Sequence, residues 1–278
     1  MGIELLERSA LAAHQAGNFV QARKIYHEVL SRNPGRVSAL HYLAISAAVE
    51  NNFSLSLRYL TKAIGIDSKN QSLQKDYATV LLKTGKPEKA LAYFDRALSI
   101  NPLDAELFAR RGVALTELKR YPEALQSFNT SLSLQPENYE ALINRAKVYE
   151  ELKIFRAAVE TCKSALKIQP TSYSAFFCMG NAYLKLEEFH SAIEAYNSAI
   201  HLNGESHEAW INKAAALKHL KLFDAALEIY RKLLDREPDA AELQSASAHL
   251  RRGDVPRAES VQDLVWAVMN TPEFVFNH

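Results

Sequence analysis

The sequence predicts an all-α, right-handed α-solenoid of stacked helix–turn–helix units. Three observations carry this. "PEKALAYFDRALSINP" at 87–102 and "YPEALQSFNTSLSLQP" at 121–136 are one amphipathic pattern written twice, 34 residues apart. Pro34, Pro102, Pro136, Pro170 and Pro238 fall on that same grid, with Ser68 and Gly204 in its two remaining slots. Small residues recur at fixed places within each period. A register held without insertion over seven periods is the signature of a repeat array, in which each unit buries its apolar face only by stacking on the next.

Each unit reads as two short amphipathic helices. In the unit 173–206, Phe176, Met179, Gly180, Tyr183 and Leu184 form one apolar stripe at helical spacing, and Ile193, Tyr196 and Ile200 form a second. "KLEEFHS" turns the chain between them. The eighth position of the units holds Ala10, Ala44, Ala78, Gly112, Ala146, Gly180 and Ala214. The twentieth holds Ala22, Ser56, Ala90, Ala124, Ala158, Ala192 and Ala226. Those sites read as close helix–helix approaches, where a larger side chain overpacks. The twenty-fourth position holds Tyr26, Phe94, Phe128, Tyr196 and Tyr230, with Leu60 and Cys162 as exceptions, and fills the space the small residues leave. Proline at the thirty-second position is expected to end the second helix. Pro87 and Pro122 sit near second-helix starts, where a missing N–H costs nothing.

These residues resemble the tetratricopeptide repeat, whose unit is a 34-residue helix–turn–helix. Trp210, Ala214, Ala226, Tyr230 and Pro238 carry the best single match, and Gly180, Tyr183, Ala192, Tyr196 and Ala199 the next. The array is read over 3–240, as units 3–36, 37–70, 71–104, 105–138, 139–172, 173–206 and 207–240. Residues 241–253 read as a capping helix, with Leu243, Ala246 and Leu250 inward and Gly253 at its stop. Residues 254–278 read as a short helical tail whose Leu264, Val265, Trp266, Val268, Phe274 and Phe276 offer an apolar contact to the cap, to a partner or to a second copy of the chain.

Composition narrows the function. The formal net charge is +1, which supplies no field to draw nucleic acid or an anionic membrane. No apolar run approaches a membrane span. The N-terminus "MGIELLERSALAAHQ" shows no cleavable signal pattern, and Cys162 and Cys178 form no disulfide framework; together they predict a cytoplasmic protein. "KTGK" at 83–86 lacks the first glycine and the strand of a phosphate loop. No histidine pair or Cys/His set has zinc spacing, and no nucleophile elbow or dinucleotide fingerprint occurs. The chain is therefore expected to be non-catalytic, with no cofactor and no metal.

The first helices should line the concave surface. Their outward positions give a candidate partner-binding groove of Tyr42, Arg110, Asn144, Lys147, Cys178, Asn181 and Asn212. A row of asparagine amides both donates and accepts, so it can hold a peptide backbone whatever its side chains. The series is similar to the peptide-holding asparagine ladder in the repeat arm of O-linked N-acetylglucosamine transferases. The family's carboxylate clamp is not completed in any three consecutive units: Thr79, Arg110 and Glu140 stand where its Asn and Lys would be. Glu4, Glu106, Glu140 and Glu208 against Arg110 and Lys147 leave a groove of mixed sign. The leading expectation is a protein-interaction scaffold or adaptor that takes a peptide or helix of another protein. Two alternatives stay open: a self-assembling protein joined through its tail, and a targeting arm acting in trans for a glycosyltransferase or similar enzyme.

Overall fold

The computed structural model describes residues 2–222, with 225, 226, 228 and 229. The capping helix and tail expected over 241–278 lie outside the described residues, as do Tyr230 and Pro238. Among the described residues there are thirteen helices and no strand. In chain order they are α1 (Ile3–Gln15), α2 (Phe19–Arg32), α3 (Val37–Val49), α4 (Phe53–Ile66), α5 (Gln71–Lys83), α6 (Pro87–Ile100), α7 (Ala105–Glu117), α8 (Tyr121–Leu134), α9 (Tyr139–Glu151), α10 (Phe155–Ile168), α11 (Tyr173–Lys185), α12 (Phe189–Leu202) and α13 (His207–His219). Odd-numbered helices, from Ile3 to His207, start at a constant 34-residue interval. The fold is an all-α helical-repeat solenoid.

Two compact units are formed by residues 1–141 and 142–278. In the first, α1–α2, α3–α4, α5–α6 and α7–α8 pack as hairpins. There α2, α4 and α6 also pack on α3, α5 and α7, and α5 touches both α3 and α7. In the second unit α11 pairs with α12, α10 packs on α11, α12 packs on α13, and α11 touches α13. First helices thus form one layer within each unit.

The core follows the small-residue pattern. Ala10, Ala44, Ala78 and Ala146 are fully buried, as are Ala22, Ser56, Ala90, Ala124, Ala158 and Ala192. Against them lie the fully buried rings of Phe94, Phe128 and Tyr196, with Tyr26 nearly so. The approach is closest at the two glycines. A Cβ on Gly112 would stand 2.6 Å from the Phe128 ring, and one on Gly180 would stand 2.6 Å from the Tyr196 ring. Those distances exclude even a methyl group unless the ring moves.

Helix ends show chemistry that the proline grid does not. Second helices stop at the same place before Ser68 and Gly204 as before proline: Asp67 and Asn203 leave helical geometry just as Asn33 and Asn101 do. The shared device is often an asparagine turn. The side-chain oxygens of Asn33, Asn101 and Asn203 accept from the N–H of Gly35, Leu103 and Glu205 at 3.1, 3.2 and 3.2 Å. First helices are then capped at their N-termini by Asn70, Asp104, Asn138, Ser172 and Ser206, each accepting from the backbone N–H three residues on.

The turn inside each hairpin needs one left-handed residue. It falls at Gly17, Asn51, Gly85, Lys119, Lys153, Glu187 and Lys221, with φ between 57° and 76°. Five of the seven are not glycine, so the array carries backbone strain that its packing overcomes. At Gly85 an added Cβ meets nothing within 4 Å, which isolates the backbone effect. Gly85→Ala is expected to lower stability by about 1 kcal/mol, read as a shifted urea midpoint at constant slope. An unchanged midpoint would mean that this turn relaxes freely.

Candidate protein-interaction site

In the first unit, polar side chains of the first-helix layer are bound to one another. Glu7 accepts from Arg36 Nε at 2.7 Å and also from Ser38. His41 Nε2 lies 2.6 Å from Asp76 Oδ2, joining α3 to α5. Lys75 Nζ donates to Glu106 at 3.2 Å, joining α5 to α7. Arg110, expected as a groove residue, donates through Nε and Nη2 to Glu106 at 2.9 and 2.8 Å. Tyr42, also expected there, is half-buried, with its ring stacked on Tyr26 at 5.3 Å and beside His14 at 5.3 Å. These contacts already occupy Arg110 and Tyr42.

The second unit differs. Its layer centres on Asn181 of α11. Tyr196 Oη donates to Asn181 Oδ1 at 2.9 Å, and Asn212 Nδ2 donates to the same oxygen at 3.0 Å. Both lone pairs of that oxygen are used, which fixes the amide; it lowers the pKa of Glu150 on α9. One residue therefore ties α11, α12 and α13 together. Asn181 is an internal strut rather than an open amide.

Cys178, expected on the groove surface, is 4% exposed. It packs with Ala146 and Cys162. Its partner at the twenty-fourth position of the preceding unit is Cys162, as Tyr26 is the partner of Tyr42, and the short thiol at each place leaves Cys178 buried. A hydrogen bond with Cys178 and burial push the Cys162 thiol far up, so it stays protonated.

Three expected residues remain open. Asn144 is half-buried and makes no side-chain hydrogen bond, and Lys147 is exposed and makes no ion pair, among the described residues. Asn212 is half-buried and held through its N–H, while its carbonyl oxygen accepts nothing among the described residues.

Glu150 was not among the expected residues. Burial pushes its carboxyl up to about 7; the Asn181 amide, Lys147 and the Cys178 thiol oppose the rise, and Glu151 adds to it. Its Oε1 atom is buried without a hydrogen-bond partner. A signal existed in the sequence: the twelfth position reads His14, Ala48, Leu82, Thr116, Glu150, Leu184 and Lys218, with one acid among seven. The Tyr–Asn strut also had a signal. Tyr196 has Asn181 at the ninth position of its own unit, whereas Tyr26 has Leu11 there and its buried hydroxyl has no partner.

Thirteen described helices stacked on a 34-residue period, with polar side chains along the first-helix layer, define a helical-repeat protein. Among the described residues no group of three His, Cys, Asp or Glu is placed to hold a metal. The family model of the tetratricopeptide repeat matches residues 8–71, 76–136, 120–173 and 179–241, and the chain belongs to that family. Members of this family bind other proteins and are typically non-catalytic. No curated protein matches the sequence. Among solved structures, PilW, described as a widely conserved type IV pilus biogenesis factor, is similar with a TM-score of 0.66 at 22% identity, over 75% of this chain and 97% of that one. PilF of Pseudomonas aeruginosa is similar with a TM-score of 0.64 at 22% identity, over 76% and 96% of the two chains. YrrB, described as a tetratricopeptide protein with an unusual peptide-binding site, is similar with a TM-score of 0.56 at 19% identity, over 66% and 95%. These likenesses show the fold. No described helix is long and apolar enough to cross a membrane.

Glu150 makes a signed prediction. Its pKa is raised on folding, so the folded state holds that proton more tightly than the unfolded chain does. The resulting stability is fully present below about pH 4.5 and is lost as pH rises toward about 7. Glu150→Gln should therefore raise the melting temperature at pH 8 relative to wild type, and raise it less at pH 5. Equal effects at both pH values would show that Glu150 titrates normally.

Proposed function

We propose that this chain is a non-catalytic scaffold that holds an extended segment or short helix of another protein against the first-helix layer of its second unit. The observation that carries the reading is the contrast between the two layers. In the first unit Glu7 is bound to Arg36, His41 to Asp76, and Lys75 and Arg110 to Glu106. In the second, Asn144, Lys147 and the Asn212 carbonyl have no such partners among the described residues. An oriented but unused amide loses little side-chain freedom when a partner's backbone pairs with it, which favours affinity. The fold similarity to YrrB, a protein described as having a peptide-binding site, supports the same class of role. The seven-unit array over 3–240 is part of this reading. The cytoplasm is its proposed compartment.

The test is binding of the full chain to an array of 15-residue peptides tiled across the proteome of its own organism. Asn144→Ala, Lys147→Ala and Asn212→Ala are combined, and Asn181 is left in place because it joins α11 to α12 and α13. The triple variant should keep its helical circular-dichroism spectrum and lose affinity for its peptides by at least about tenfold, about 1.4 kcal/mol. Full retention of affinity with the fold intact would remove this surface from the account.

A further inference from the structure

We propose that Glu150 is an anchor for one cationic side chain, a Lys or Arg, on the segment bound by the second unit. The inference rests on the groove reading above and names the chemistry of its occupant.

The geometry supports a cation at this place. Glu150 lies on α9, and Asn181 of α11, which acts on its carboxyl, is itself held by Tyr196 of α12 and Asn212 of α13. The group acting on the carboxyl is therefore fixed. The carboxyl's own Oε1 is buried and has no partner. A buried carboxylate oxygen left unpaired is costly, and the cost is relieved by an N–H donor that enters from outside. A neutral backbone N–H would supply the hydrogen bond alone. An ammonium or guanidinium supplies the hydrogen bond and the missing charge together, so it is the better complement.

The surroundings leave that charge unmatched. From α9 itself, Lys147 attracts and Glu151 repels. From α11 come the Cys178 thiol and the neutral Asn181 amide, from α10 the Cys162 thiol, from α12 the Tyr196 hydroxyl and from α13 the neutral Asn212 amide. Burial holds the Cys162 thiol and the Tyr196 hydroxyl in their neutral forms. Lys147 is exposed and makes no ion pair with Glu150. Access needs no unfolding: Glu150 is half-buried, and the last torsion of a glutamate side chain is soft. Lys147, which acts on its charge from one turn away, is one of the open groups on which the groove reading rests.

Binding a cation favours the ionised carboxylate, so it must lower the pKa of Glu150 and release a proton wherever that group is partly protonated. Affinity for a basic segment should then fall as the solution is acidified from pH 8 to pH 6.

The experiment uses the full chain with carbon-13-labelled glutamate, and the Glu150 carboxyl signal is assigned by its loss in Glu150→Gln. Its titration is followed by NMR in sodium chloride and in n-butylguanidinium chloride of equal ionic strength. The anchor predicts a midpoint near 7 in sodium chloride, lowered by at least half a pH unit in butylguanidinium. The same midpoint in both salts would overturn it. A second arm takes the array peptides that bind and replaces each Lys or Arg singly by norleucine. One replacement per peptide should cost at least tenfold at pH 8 in wild type, and little in Glu150→Gln. Peptides that depend on Asn144 and Asn212 yet ignore every norleucine replacement would sink the anchor and leave the groove standing. A midpoint moved by butylguanidinium, with peptide affinity untouched by the triple alanine variant, would uphold the cation site and sink the groove.

Discussion

Each hairpin depends on one steric constraint: two helices come so close at the eighth position that a glycine or alanine must stand there, with a ring or large side chain from the twenty-fourth position over it. The constraint is local, since both residues belong to the same 34-residue stretch. It fixes which face of each helix is inward, and so which faces are left for the next hairpin and for solvent. Where the ring is missing, at Cys162, Cys178 from the next first helix packs on the thiol. That contact takes a side chain from the surface and lies beside Glu150, on whose charge Cys178 acts.

Much of the fold was legible in the sequence because it is written in apolar period and residue size, and both repeat. Less visible was the punctuation between helices. The stop of the second helix survives without proline at Asp67 and Asn203, through turn geometry that asparagine and aspartate support as well. The caps at Asn70, Asp104, Asn138, Ser172 and Ser206 occupy one repeat position and could have been found by asking which residue precedes each first helix. The left-handed turn residue was harder to see, because Lys and Glu carry it more often than Gly does.

The candidate site was less legible, and the reason is physical. A repeat frame says which positions face outward, but not which side chains there find each other. Asn144, Asn181 and Asn212 look alike in sequence. In the structure Asn181 is a strut with its oxygen doubly used, Asn212 is half-committed, and Asn144 is open. Arg110 and Tyr42 face the same layer and are spent on Glu106 and on Tyr26. Glu150 stood apart only by comparison with six other residues at its own position. Those few departures from the repeat are what distinguishes one unit's surface from the next, since the repeated residues are occupied in holding the helices together.

The close approach itself is open to a direct measurement, a double-mutant cycle at Gly112 and Phe128. Alanine in place of glycine inside a helix ordinarily stabilises it by about 1 kcal/mol, so a loss of stability in Gly112→Ala alone would already report the missing space. Phe128→Leu removes the ring that a methyl group at Gly112 would strike. The account predicts that the double variant is more stable than the sum of the single losses allows, with a coupling of about 1 kcal/mol or more. Additivity within about 0.5 kcal/mol would contradict the steric constraint from which the rest of the structure is argued.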